Sequence, residues 1–154
     1  MTDAPSYPAD RPGAAGAIAG LLNRLGAVPM SLIALAMRVA IGGVFFKSGI
    51  NKYESWGTAK MLFAEEYQVP LLPPDIAAFL ATAAELVCPV LIVLGLFARL
   101  GAAALLFMTI VIQVFVYPNA WVEHLLWASV LGYILTRGPG ALSLDAAIAR
   151  RVYG

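Results

Sequence analysis

The stretch IAAFLATAAELVCPVLIVLGLFARLGAAALLFMTIVIQVFVYP, residues 76–118, decides the fold. Its only charges are Glu85 and Arg99. A helix needs about 20 apolar residues to cross the hydrocarbon core of a bilayer. Two spans fit here, Ile76–Ala98 and Leu100–Pro118, and Gly95 and Gly101 flank their junction at Ala98-Arg99. The junction reads as a tight helical hairpin. Working outward, Leu25–Phe46 is another span with Arg38 as its only charge. Ala120–Thr136 is a fourth, short, with Glu123 and His124 near its start, and Pro118-Asn119 joins it to the third. Helices with short connections pack antiparallel. The expected fold is all-α, an integral membrane four-helix bundle.

Composition agrees. Of 154 residues 61 % are hydrophobic and 12 % charged, and mean hydropathy is +0.83. A soluble domain carries about 25 % charge. The net charge is +1 with no basic tract, so nucleic acid is not an expected partner. Cys88 is the single cysteine, which excludes an internal disulfide and a CxxC pair. No metal site is expected.

Residues 1–24 read as an N-terminal tail, 25–137 as the transmembrane domain and 138–154 as a C-terminal segment. Asp3 and Asp10 stand where a signal peptide would be basic. Residues 1–12 read as a disordered tail, and Ala14–Leu25 as a weakly amphipathic interfacial helix. Arg11, Arg24, Arg99, Arg137, Arg150 and Arg151 fall on one side of four spans, and Lys52 and Lys60 on the other. By the positive-inside rule both termini are cytoplasmic. The long connection 53–74 is then outside. In it Trp56, Ala59, Phe63 and Tyr67 share one helical face, and Pro70, Pro73 and Pro74 end the run. This reads as an outer interfacial helix between spans one and two, either a connector or a lid over a site.

Arg38 and Glu85 each lie near the middle of a span. A lone charge there costs roughly 2.5–3.5 kcal/mol even on the lenient insertion scale. An Arg38–Glu85 ion pair is the expected remedy, as a pin between two helices or as part of a site that binds a polar ligand or relays protons. Thr109, Gln113 and Tyr117, spaced by four, form a polar stripe on the third span. His124, Glu123, Asn51 and Lys52 reach the same outer end. Lys47 lies about 900° of helix rotation from Arg38, so it faces away, either snorkelling to headgroups or meeting a subunit contact or a second cavity. Trp121, Trp127, Tyr117 and Tyr53 read as an outer aromatic belt. For Trp127 the alternative is a surface on which a ring stacks. Pro89 frees the carbonyl of Glu85, Gly42, Gly43 and Gly49 allow close helix packing, and Ser143 reads as the N-cap of a short helix from Leu144.

Three stretches together resemble the DoxX family: RVAIGGVFFKSGINK (38–52), Glu85 followed by LGLFAR (94–99), and GPGALSLD (138–145). The resemblance covers about residues 30–147. It implies a small four-helix membrane protein of the bacterial cytoplasmic (inner) membrane, and for some members a subunit of a quinone- or thiol-linked oxidoreductase. On that basis His124 and Glu85 are the expected catalytic residues. Arg38, Lys52, Asn51, Gln113, Tyr117 and Trp127 are the expected binding residues for a quinone. No intrinsic cofactor is expected, so electrons would come from a soluble or membrane oxidoreductase partner, and a homo-oligomer is left open. The alternative function is non-enzymatic, a membrane scaffold or a carrier of lipid or a small molecule.

Overall fold

The computed structural model describes Ser6 and residues 13–153. The remaining tail residues, including Arg11, lie outside the described residues. All regular structure among those described is helical. Helix α1 is Ala14–Gly26, α2 Met30–Glu54, α3 Trp56–Leu62, α4 Pro74–Leu94, α5 Ala98–Val111, α6 Trp121–Arg137 and α7 Leu144–Tyr153. Helix α3 runs into a π-helical turn, Phe63–Tyr67, and α5 into another, Ile112–Val116.

Three helices are long and apolar enough to cross a membrane: Met30–Glu54, Pro74–Leu94 and Ala98–Val116. The chain is an all-α membrane protein. Helix α6 packs along α5 and touches α2, completing a four-helix bundle. At 17 residues it is about 26 Å long, less than the roughly 30 Å hydrocarbon thickness.

The boundaries depart from the sequence reading in two places. The first span runs from Met30 to Glu54, not from Leu25 to Phe46. Pro29 fixes the extended backbone at its N-cap, and the polar residues after Phe46 continue the helix. The hairpin turn is Gly95–Phe97, one step earlier than Ala98-Arg99. Gly95 takes φ +67° as the C-cap of α4, the left-handed conformation glycine adopts without strain.

The core joins Ile41, Phe45, Ile92, Ala98, Ala102, Leu105, Leu131 and Ile134 across α2, α4, α5 and α6. Glycine sets the spacing of α2 and α4. A methyl group at Gly49 would lie 3.0 Å from Glu85 carbons, and one at Gly42 would lie 2.6 Å from Val93 Cγ2. Gly43 faces open space. The outer helix forms as expected: Ala59 and Phe63 are buried, Trp56 and Tyr67 half-buried, and Phe63 packs with Ala77 and Ala78 of α4.

The C-terminal segment is stitched into the hairpin. Asp145 accepts hydrogen bonds from Phe97 N at 2.9 Å and Ala98 N at 3.2 Å, which satisfies the free amides at the start of α5. Asp145 N donates to Gly95 O at 2.8 Å. Ser143 Oγ accepts from Ala146 N at 3.2 Å, the N-cap read from the sequence.

A side chain at Gly95 would collide with Ser143 and sit 2.6 Å from Arg38 Nη1, in a backbone conformation that disfavours it. Gly95→Ala is expected to cost about 2 kcal/mol or more in thermal or denaturant unfolding in detergent. Gly43→Ala should be neutral or stabilise by up to about 1 kcal/mol.

Candidate functional site

The two buried ions do not meet. Antiparallel packing sets Gly49 against Glu85, and Gly42 and Arg38 against Val93. Arg38 is therefore eleven residues of α2 away from the level of Glu85, about 16 Å of helix rise. Glu85 stays at the middle of α4, Pro74–Leu94, whereas the start of α2 at Met30 and its continuation to Glu54 leave Arg38 only nine residues into its helix, towards one membrane face.

Arg38 is fully buried and meets the carbonyl end of α4. It donates from Nη1 to Val93 O at 2.9 Å and Ile92 O at 3.4 Å, and from Nη2 to Leu142 O. The last carbonyls of a helix lack internal partners and carry its negative partial charge, so they suit a guanidinium. Arg38 thus ties together α2, the end of α4 and the C-terminal segment. It stands apart from the other expected site residues.

Glu85 pairs with Lys52. Lys52 Nζ lies 2.8 Å and 2.9 Å from the two carboxylate oxygens and 2.9 Å from Ser48 Oγ, which in turn donates to Glu85 Oε1 at 3.2 Å. The Glu85 side chain is 3 % exposed and that of Lys52 20 %. Ser48 and Lys52 stand four apart on one face of α2, so the serine was findable from helix spacing. Above the pair is a hollow of about 300 Å³, lined by Ser48, Asn51, Lys52, Ser55, Thr58 and, from the outer helix, Phe63 and Tyr67 among others. Asn51, Ser55 and Thr58 make no side-chain hydrogen bond among the described residues. The outer helix therefore lines one wall of this hollow as well as connecting two spans.

A second polar group forms where α5 ends. In the π-helical turn Tyr117 N reaches back to Ile112 O at 2.8 Å, five residues away, so the four-residue stripe breaks up. Thr109 turns inward and donates to Leu105 O within its own helix. Gln113 Nε2 donates to Pro118 O at 2.8 Å, which leaves Gln113 Oε1 as the atom 2.6 Å from His124 Nδ1. A carbonyl oxygen only accepts, so Nδ1 carries the proton and neutral His124 keeps its lone pair on Nε2. His124 is buried, and its ring centroid is 5.3 Å from that of Trp127. Trp127 also meets Phe45 edge-on at 5.3 Å, so it belongs to the bundle interior and not to an aromatic belt. Trp121 and Tyr53 are exposed, as belt residues are. Lys47 is exposed too.

Tyr117 links the two groups. Its hydroxyl lies 3.1 Å from Glu66 Oε1 and 3.3 Å from Tyr67 Oη, and Tyr67 lines the hollow over Lys52. The hydrogen bond with Tyr67, burial and the Glu66 carboxylate push the Tyr117 phenol well above its ordinary value. Lys52, Asn51, Glu85, Gln113, Tyr117, His124 and Trp127 thus occupy one end of the bundle. Among the described residues, no three His, Cys, Asp or Glu side chains converge as a metal site would need.

Two measurements check this geometry. Removing one member of a buried pair strands the other, at a cost of about 3–5 kcal/mol. Lys52→Met and Glu85→Leu should each destabilise strongly, and the double variant should recover much of the loss. Glu85→Leu combined with Arg38→Met should show additive effects, because those two share no partner. For Tyr117 the folded form holds its proton more tightly than the unfolded chain. Its contribution is full below the ordinary phenol value near pH 10 and is lost as pH rises beyond it. Tyr117→Phe should flatten the decline of Tm above about pH 10.

A family model for DoxX matches residues 33–118, more than half of the chain. A curated protein of Haemophilus influenzae, described as an uncharacterized protein, is 30 % identical over 132 residues, covering 77 % of this chain and 84 % of its own length. No solved structure matches. The matched segment runs from the start of α2 through Lys52, the outer helix, Glu85 and the hairpin to the π-helical turn with Gln113, and on this match the chain belongs to the DoxX family.

Proposed function

We propose that the protein is the membrane subunit of an oxidoreductase system and binds a quinone or similar apolar redox ligand at the Lys52 end of the bundle. The observation that carries this reading is the 300 Å³ hollow over the Lys52–Glu85 pair, with Asn51, Ser55 and Thr58 making no side-chain hydrogen bond among the described residues at its edge and Phe63 and Tyr67 on its wall. A paired floor favours a ligand without net charge. Unpartnered amide and hydroxyl groups fit a head that both donates and accepts hydrogen bonds, and aromatic rings fit a planar one. On the lipid side, a further hollow of about 780 Å³, lined by Tyr53, Trp56, Phe79, Ala83 and Leu86 among others, suits an apolar tail.

Reduction of a quinone takes up electrons and protons together. In this reading the electrons come from an oxidoreductase partner. The protons pass through titratable groups at the same end, His124 and the Lys52–Glu85 pair. Neutral His124 accepts a hydrogen bond at Nε2, which fits a quinol hydroxyl, and the imidazolium donates one, which fits a quinone carbonyl. The arginine-rich end, with Arg99, Arg137, Arg150 and Arg151, faces the cytoplasm of a bacterial inner membrane.

The 780 Å³ hollow also fits a lipid chain, which favours the non-enzymatic reading of a lipid or small-molecule carrier. One experiment separates the two. Protein purified in mild detergent is extracted and its bound molecules identified, and a short-chain quinone is titrated against tryptophan fluorescence. The redox reading expects co-extracted quinone and saturable quenching. It also expects binding weakened about ten-fold or more, some 1.4 kcal/mol, in Lys52→Met/Glu85→Leu. Recovery of phospholipid alone, with no quenching and no effect of His124→Ala on quinol-linked activity, would leave the carrier.

A further inference from the structure

We propose that α7 is a membrane-surface anchor: it lays Leu144, Ile148 and Val152 into the leaflet next to the bundle and holds anionic phospholipid headgroups with Arg151. The three apolar residues recur every four and cover about 80° of the helix surface. They are 43 %, 50 % and 65 % exposed. Among the described residues no other helix packs along α7, so this face has no protein cover.

The place of α7 says what covers it. Its first turn is fixed to the α4–α5 hairpin by Asp145, through Phe97 N, Ala98 N and Gly95 O, and the preceding residue Leu142 is held by Arg38. The hairpin is the end of two membrane-spanning helices, which is where headgroups lie. Phe97 and Leu100, on that hairpin, are 61 % and 69 % exposed as lipid-facing residues are.

Charge points to the same partner. Within residues 138–154 the only acidic residue is Asp145, and its carboxylate is used by two backbone amides. Arg150 and Arg151 are exposed in the last turn of α7. Arg99, whose guanidinium donates to Thr136 O at 3.5 Å, and Arg137 stand at the same end of the bundle. Arg151 borders the apolar arc, seven residues and nearly two turns from Leu144. An apolar stripe with arginine along its edge is the pattern of an interfacial helix on an anionic surface. An arginine near such a surface contributes about 1 kcal/mol, so Arg151 favours it over a neutral one about five-fold. The proposal is independent of what the other end of the bundle binds.

The test uses the full chain in nanodiscs of phosphatidylcholine alone or with phosphatidylglycerol. Trypsin acts on the unmodified protein at Arg150 and Arg151, and cleavage at Arg151 should be slowed about five-fold by the anionic lipid. Arg151→Gln removes that site, so its effect is read by a dye at position 148, which should lose its phosphatidylglycerol-dependent shielding. In parallel, Ile148→Cys in a Cys88→Ala background carries an environment-sensitive dye. Quenching by brominated acyl chains and shielding from iodide are expected. Equal cleavage in both lipids, or a dye open to iodide and untouched by bromolipid, overturns the proposal. So does energy transfer between labelled copies without lipid quenching, which would assign the face to a second copy of the chain.

Discussion

Hydrocarbon has no water to solvate an ion, and the fold answers that constraint twice on one helix. Helix α2 carries Arg38 and Lys52, fourteen residues apart, and both are drawn inward. Each needs negative charge, and the two receive it in different forms. Lys52 has a full carboxylate, Glu85, with Ser48 filling the remaining geometry. Arg38 has only partial charges, the carbonyls that end α4 and one from Leu142. A guanidinium is suited to the second role because its several donors spread over neighbouring oxygens, whereas a compact ammonium concentrates on one partner. Among the described residues Arg38 Nε is buried without a partner, so its satisfaction there is incomplete.

This division separates the molecule by role. At the Arg38 end the contacts are backbone ones, tightly fitted around Gly95, and they fasten chain segments together. At the Lys52 end side chains meet across helices, a hollow remains, and tyrosines and a histidine lie close by. The π-helical turn after α5 contributes to that end. The wider turn places Gln113 so that one half of its amide is fixed by Pro118 and the other faces His124. Such turns often occur where a helix serves a site at some cost to regular geometry.

Much of this was legible in the sequence. The all-α membrane fold, the hairpin, the outer helix and the Ser143 cap follow from hydropathy, period and turn chemistry, which are local properties. A fourth full span does not: α6, with 17 residues, falls short of the three helices long enough to cross. The burial of Arg38 and Glu85 was legible too, because a charge in an apolar run must turn inward. Their partners were not. Depth along a helix depends on where the helix starts, and Pro29 and the polar continuation past Phe46 moved α2 towards higher residue numbers. Lys52 then came level with Glu85. The belt expectation for Trp127 fails for a related reason: tryptophan near a span end suggests an interface, and only the packing of Phe45 and His124 shows that this one faces in. The scattering of Thr109, Gln113 and Tyr117 needed the five-residue turn, which a 3.6-residue period does not anticipate.

The stitching of Asp145 to the start of α5 has a consequence for biogenesis. The amides of Phe97 and Ala98 leave the ribosome long before the carboxylate that satisfies them. The guanidinium of Arg38 waits in the same way for Leu142. Insertion of the nascent polypeptide can therefore set the transmembrane topology early. The bundle closes only once residues 142–145 have emerged, and that short segment acts as the key that locks α2 in place.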